Sequence, residues 1–136
     1  MLNKIKTISL FILLMMSVAH ASKIKPSAVQ QAIKKLQQVD YTTIDGRFDL
    51  YTHYETAIKL LNQRYDNKLL EVVIKSYLKE FKYSQHHDNA EVLLDYYKKH
   101  KPLITHLIKK LASKKEAIDF FSRIEIAQRE ATDGNG

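Results

Sequence analysis

The stretch LLEVVIKSYLKEF, from Leu69 to Phe81, decides the fold class of this chain. Its apolar residues recur at spacings of three and four, as on one face of an α-helix: Leu70, Val73, Ile74, Tyr77, Leu78 and Phe81. Leu69 and Val72 widen this face, which indicates packing against neighbours on more than one side. Glu71 precedes Lys75 by four residues on the opposite face, an order that favours a surface ion pair. The stretch is therefore predicted to be the central helix of a helical core.

Two helices are predicted before the central one. The first opens at Ser27, which lies in capping-box spacing with Gln30, and the second runs from Asp49 to about Tyr65. Between them lies an irregular stretch, residues 40–49, which contains an Asp-Gly turn signal. Such a stretch is either a functional loop or a plain connector.

Three more helices are predicted after the central one, each with its own start signal. These signals are capping boxes at Asp88 and Ser113 and a first-turn proline at Pro102. The apolar set expected for the last helix is Ala117, Ile118, Phe121, Ile124 and Ala127. No stretch shows the two-residue alternation of a strand. The chain is thus predicted to be all-α, a compact bundle of about six helices or, given weak self-similarity between helix pairs, a short stack of helical hairpins.

The first 21 residues have the pattern of a secretory signal peptide. Lys4 and Lys6 precede an apolar run at residues 8–18, and Ala19-His20-Ala21 forms a small-x-small cleavage site. The run is shorter than the roughly 20 residues that span a bilayer, so no transmembrane anchor is expected after cleavage, with a retained anchor as the alternative. Cleavage after Ala21 would deliver the chain to the periplasm or outside the cell. It would leave one helical domain at 22–133 and a disordered tail at 134–136.

The composition argues against several kinds of chemistry. With no cysteine there is no disulfide, no lipidation site and no c-type haem attachment. Three glycines and the lack of a Gly-x-Ser-x-Gly motif leave no phosphate loop and no nucleophile elbow. Glu55, Glu71 and Glu80 all lie on predicted polar helix faces, where solvated charge is expected. No two histidines have the four-residue spacing typical of zinc ligands on a helix. We therefore predict no catalytic residue, no metal site and no cofactor.

Charge is the most informative feature of the chain. Seven lysines between Tyr96 and Lys115 occur without an acidic residue among them: Lys98, Lys99, Lys101, Lys109, Lys110, Lys114 and Lys115. Such a cluster is either a solubilising face or a binding surface for an anionic partner. An acidic protein is the partner expected, and an anionic component of the cell envelope is the alternative. Nucleic acid is not expected, because the chain is predicted to be exported and arginine, the preferred base-edge reader, is scarce.

Tyrosine is the second excess, with eight residues against no tryptophan. Four tyrosines fall on predicted core stripes: Tyr54, Tyr65, Tyr77 and Tyr97. The other four fall outside the stripes and are predicted to be exposed: Tyr41, Tyr51, Tyr83 and Tyr96. Exposed tyrosines suit protein interfaces, because they bring a large contact area with little rotamer entropy to lose. The alternative is that they cover helix ends.

Together these features favour a non-catalytic exported protein that binds another protein. An immunity protein or inhibitor against a secreted toxin is the most concrete form of this hypothesis. A periplasmic carrier of a small molecule or metal is the alternative. A small helical enzyme, with a site assembled only by the tertiary structure, comes third.

The export signal can be tested directly on the mature protein. Because Ala19-His20-Ala21 is the predicted cleavage site, material recovered from the periplasmic fraction should begin at Ser22. N-terminal sequencing checks this, and a sequence that begins at Met1 in exported material would contradict it.

Overall fold

The computed structural model describes residues 27–134, which fold into six α-helices and their connections. The helices are α1 (Ala28–Gln37), α2 (Leu50–Gln63), α3 (Asn67–Tyr83), α4 (Ala90–Lys99), α5 (Lys101–Leu111) and α6 (Lys114–Asp133). No strand occurs among these residues, and the prediction of an all-α fold is confirmed. The predicted signal peptide at 1–21 lies outside the described residues, as does the tail beyond Gly134.

Local sequence signals set several of the helix starts. Ser27 Oγ accepts a hydrogen bond from the backbone N–H of Gln30 at 3.2 Å, and Gln30 Oε1 accepts from the backbone N–H of Ser27 at 3.1 Å. Ser113 and Glu116 form the same reciprocal pair at the start of α6. Asp66 caps α3 through its side chain. The capping boxes at Ser27 and Ser113 agree with the predictions.

The predicted capping box at Asp88 is wrong. The N-cap of α4 is Asn89, and its side chain makes no capping hydrogen bond. Instead Asn89 Nδ2 donates to Glu80 Oε2 at 2.6 Å. A buried carboxylate strongly requires hydrogen-bond donors. The Asn89 amide therefore bonds to Glu80, and its side chain does not cap α4.

The central helix α3 is covered on most of its circumference. It packs against α1, α2, α5 and α6. Ten of its residues are buried: Leu69, Leu70, Val72, Val73, Ile74, Ser76, Tyr77, Leu78, Glu80 and Phe81. Its exposed edge carries the predicted ion pair, with Lys75 Nζ 2.9 Å from Glu71 Oε1. The packing on several sides follows from the width of the apolar face.

A row of aromatic rings connects α2 to α6 through α3. Tyr54 and Tyr77 stack with ring centroids 3.9 Å apart and planes 6° from parallel. The row continues through Phe81 to Phe120, whose ring centroids lie 6.0 Å apart. Such ring pairs add specific geometry to the apolar burial. They fix α2 and α6 relative to the central helix.

Two residues predicted to be buried are exposed. Ile118 in α6 is 63% exposed, whereas Phe120 is fully buried. Phe120 and Phe121 are adjacent, so the periodicity fits either phenylalanine, and packing on Phe81 selects Phe120. Tyr65 is half exposed beyond the end of α2, where its hydroxyl donates to Asn67 Oδ1 at 3.1 Å.

The position of Ile74 in the core gives a prediction for stability. Ile74 is fully buried at the centre of α3, so Ile74→Ala should lower the free energy of unfolding by roughly 2–5 kcal/mol. Lys75→Ala, one residue further on the exposed edge, should change it by no more than about 0.5 kcal/mol. Urea denaturation of both variants measures the difference. Equal losses would mean that the register of α3 is wrong.

Candidate functional site

All seven lysines of the predicted cluster are exposed. We call them the lysine surface: Lys98, Lys99, Lys101, Lys109, Lys110, Lys114 and Lys115. The ion pairs found within residues 27–134 involve none of them. Their charges are therefore available to groups outside the domain.

The lysine surface has two parts, one at each end of α5. Lys101 and Lys110 lie about 13 Å apart along the helix, at a rise of 1.5 Å per residue. Lys98, Lys99 and Lys101 occupy the junction of α4 and α5. The other four lie where α5 ends and α6 begins. One small anion could not bridge the two parts, but a protein surface could.

The part near α6 continues onto lysines of α3, a feature that sequence reasoning missed. The hydrogen bond and charge of Lys75, followed by the charges of Lys68 and Lys110, lower the pKa of Glu71. Lys110 therefore lies close to the exposed edge of α3. Further along that edge, Lys82 shares a groove with Lys115 of α6. Sequence spacing alone could not join them, because α3 and α5 meet only in the tertiary structure.

The prediction of four exposed tyrosines is half wrong. Tyr51 and Tyr83 are about half exposed, but Tyr41 is 6% exposed and Tyr96 is 2% exposed. Tyr96 is buried because α4 packs on α2, α5 and α6. These three helices together cover more of α4 than the apolar stripe predicted from its sequence. The Tyr96 ring lies 4.3 Å from the His100 ring, centroid to centroid.

Tyr41 is buried because the loop between α1 and α2 folds back on α3. Its hydroxyl donates to the Leu36 carbonyl at 2.9 Å and lies 2.7 Å from Ser76 Oγ. A phenol carries a single proton, so Ser76 supplies the proton of the second hydrogen bond. Lys79 Nζ lies 5.8 Å from the ring centroid, a cation–π contact. Tyr41 is thus an anchor of the loop.

The rest of this loop, residues 40–49, is held by its own hydrogen bonds. Asp40 Oδ1 accepts from the backbone and the hydroxyl of Thr42, and Arg47 Nη1 donates to the Tyr41 carbonyl at 2.7 Å. A side chain at Gly46 would overlap the Asp40 carbonyl oxygen, so this close approach requires glycine. The predicted irregular stretch is therefore an ordered loop.

The second loop, residues 84–89, is clamped by Arg123 of α6. Its guanidinium donates to the carbonyl oxygens of Phe81, Ser84 and His86 at 2.7 to 2.9 Å. It also lies 4.5 Å from the centroid of the Phe81 ring and pairs with Asp119. A cation at these carbonyls complements the C-terminal end of the α3 dipole. The role of Arg123 could not be predicted from the sequence, because the atoms that it binds are backbone carbonyl oxygens far away in the chain.

The two loops face each other across the end of α3 and enclose a cleft of about 440 Å³. Ile44 and Phe48 of the first loop, 79% and 84% exposed, stand on one side. Tyr83 and Glu80 of α3 line it as well. Of its ten lining residues, three are large and apolar or aromatic and seven are polar or charged, so the cleft offers hydrogen-bonding groups beside apolar side chains. No pattern in the sequence analysis predicted this cleft.

Glu80 is buried, contrary to the prediction that it lies on a solvated face. The residue is only 3% exposed, and burial raises the pKa of its carboxyl group above the ordinary value. Oε2 accepts from Asn89, but Oε1 has no hydrogen-bond partner within residues 27–134. The Tyr54 hydroxyl is buried without a partner in the same way. Burial, followed by the Glu80 charge, raises the pKa of Tyr54, so the two groups lie close together.

The five histidines of the described residues do not converge on a metal site. Among residues 27–134 there is no group of three His, Cys, Asp or Glu side chains able to hold a metal ion. His87 Nε2 lies 3.0 Å from Glu130 Oε1 of α6. His86 lines the cleft. Its backbone carbonyl, rather than its ring, carries the contact to Arg123.

Comparison of the chain with protein-family models, curated proteins and solved structures found no match. In the part of the chain that the structure describes, no helix is both long and apolar enough to cross a membrane. The chemistry of the surfaces described above therefore carries the functional argument by itself.

The buried carboxyl group predicts a characteristic pH dependence of stability. Since the pKa of Glu80 is raised on folding, its contribution is full below the ordinary glutamate pKa and is lost as pH rises through the raised value. Glu80→Gln keeps an acceptor for Asn89 and cannot ionise. Its stability relative to the wild type should therefore increase as pH rises from the ordinary glutamate pKa through the raised value. Urea denaturation across this range measures it, and a constant difference would contradict the raised pKa.

Proposed function

We propose that this chain is an exported, non-catalytic binding protein that docks an acidic protein through the lysine surface. An immunity protein or inhibitor that blocks a secreted toxin is the form of this function that best suits a small helical domain with such a surface. The exported location is part of the proposal and rests on the sequence of residues 1–21.

The observation that carries the proposal is the set of seven exposed lysines without an ion pair inside the domain. Charges of one sign on a surface attract a partner of the opposite sign and raise the rate of association. The neighbouring lysines of α3 enlarge the surface beyond what the sequence cluster predicted. An extended acidic face complements this arrangement better than a small anion.

A groove between α2 and α4 differs in charge from the lysine surface. Glu55 of α2 and Glu91 and Asp95 of α4 line it together with one lysine, Lys59. An acidic partner would be repelled by these carboxylates, whereas the lysine surface would attract it.

Reversal of four lysine charges should weaken binding to an acidic polypeptide without unfolding the domain. The substitutions are Lys98→Glu, Lys99→Glu, Lys109→Glu and Lys110→Glu, all at exposed positions outside the core. With immobilised poly-glutamate as the probe, we expect the association rate to fall about tenfold or more. The wild-type rate should also fall as the Debye length shortens to about 8 Å at physiological salt.

A matched control is Lys35→Glu combined with Lys59→Glu, which reverses two exposed charges on α1 and α2. It should leave association nearly unchanged, while reversal of the pair at either end of α5 shows which part dominates. Binding to vesicles of anionic phospholipid but not to poly-glutamate would replace the protein partner with an envelope component. If the rate of association with poly-glutamate changed neither with salt concentration nor with the four charge reversals, the lysine surface would be only a hydrated face.

A further inference from the structure

The cleft between loops 40–49 and 84–89 has a chemical character different from the lysine surface. Six large apolar side chains are exposed among the described residues, and three of them line this cleft: Ile44, Phe48 and Tyr83. Large exposed apolar side chains gathered around one concave site mark a binding region. The cleft therefore combines an apolar rim with the buried carboxylate of Glu80.

The carboxylate of Glu80 has unused capacity for a hydrogen-bond donor. Only Oε2 is hydrogen bonded, by Asn89, while Oε1 is buried without a partner in the described chain. An unsatisfied buried acceptor is costly, and a carboxylate can accept several donors. Glu80 also lines the cleft, so a donor on a ligand there would lie beside this carboxylate.

The arginines near Glu80 are already engaged elsewhere. Arg47 lines the cleft, but its Nη1 donates to the Tyr41 carbonyl and it forms no ion pair with Glu80. Arg123 donates to three backbone carbonyls and pairs with Asp119. Both arginines lie near enough for their charges to lower the pKa of Glu80, but neither forms an ion pair with it among residues 27–134. The carboxylate therefore lacks a direct cationic contact, which a ligand in the cleft would supply.

We propose that this cleft binds an organic cation, a primary ammonium or guanidinium group on a short apolar body. Glu80 is the counter-charge at the floor, and Asn89 holds the carboxylate in place. Phe48 and Tyr83 cover the body of the ligand and offer ring faces to its cation. This site is independent of the lysine surface, and it would make the domain a receptor for small amines as well as a partner of an acidic protein.

Protonation of Glu80 should oppose binding, because only the ionised carboxylate pairs with a cation. Burial raises the pKa of Glu80, and the Asn89 hydrogen bond, Arg123 and Arg47 act in the opposite direction. The other titratable groups that face Glu80 from the elements around it are Tyr41, Tyr54, Tyr77, His86 and Asp88. Affinity for the cation should therefore rise with pH through the raised pKa of Glu80, and binding should be accompanied by proton release in that range.

The test uses agmatine, which carries a guanidinium and an ammonium on a four-carbon chain, as the probe. Titration calorimetry on the mature protein should give saturable one-to-one binding, weakened about tenfold or more in Glu80→Gln. Phe48→Ala, a change at an exposed loop position, should weaken binding without affecting the fold. Glu55→Gln, which removes an exposed carboxylate from the α2–α4 groove, is the matched control and should bind as the wild type does.

A second arm separates a free amine from an arginine side chain of a polypeptide. A blocked arginine peptide presents the same guanidinium with a bulky backbone, so tighter binding of agmatine assigns the cleft to free amines and tighter binding of the peptide assigns it to a protein-borne cation. Equal affinity of wild type and Glu80→Gln for both probes, or no saturation with either, would overturn the proposal. Since none of these variants touches the lysine surface, failure here leaves the binding of an acidic protein unaffected.

Discussion

The burial of α3 on nearly every side is the constraint on which the rest of the structure depends. A helix with so much apolar surface needs neighbours around it, and α1, α2, α5 and α6 supply them. The same burial encloses two polar side chains, Ser76 and Glu80, which then need hydrogen-bond partners. These partners are Tyr41 from one loop and Asn89 at the end of the other. The need to satisfy two buried groups thus draws both loops to α3 and creates the cleft between them.

Most of the fold could be predicted from sequence, because its signals are local. The capping boxes at Ser27 and Ser113 are read from four consecutive residues, and the apolar spacing of α3 identifies its core. The failures occur where packing covers more than one face. Tyr96 is buried because several helices surround α4, and Phe120 is chosen over its neighbour by a ring on another helix. Periodicity identifies one buried face, but it does not say how many faces the neighbours cover.

Much less of the candidate sites could be predicted. The exposure of the lysine surface follows from the hydration of the ammonium group, but its continuation onto Lys68 and Lys82 depends on how α5 and α6 dock. The cleft is built by long-range contacts of Tyr41 and Arg123, and these contacts cannot be predicted from the spacing of residues in the sequence. One signal was present in the sequence: Glu80 continues the apolar series of Val73 and Tyr77 at spacings of four and three. A carboxylate on an apolar series is a sign of a buried acid, and this sign could have identified the floor of the cleft.

The clamp made by Arg123 has a consequence for motion in the native state. One side chain of α6 ties three carbonyl groups at the end of α3 and in the loop that follows, 37 to 42 residues earlier in the chain. The loop cannot lift away while these bonds persist, so detachment of α6 and opening of one wall of the cleft form a single cooperative event. Amide hydrogens in the second half of α6 and around the end of α3 should then exchange with solvent at a common rate. The last helix therefore holds one wall of the cleft in place, although none of its side chains lines the cleft.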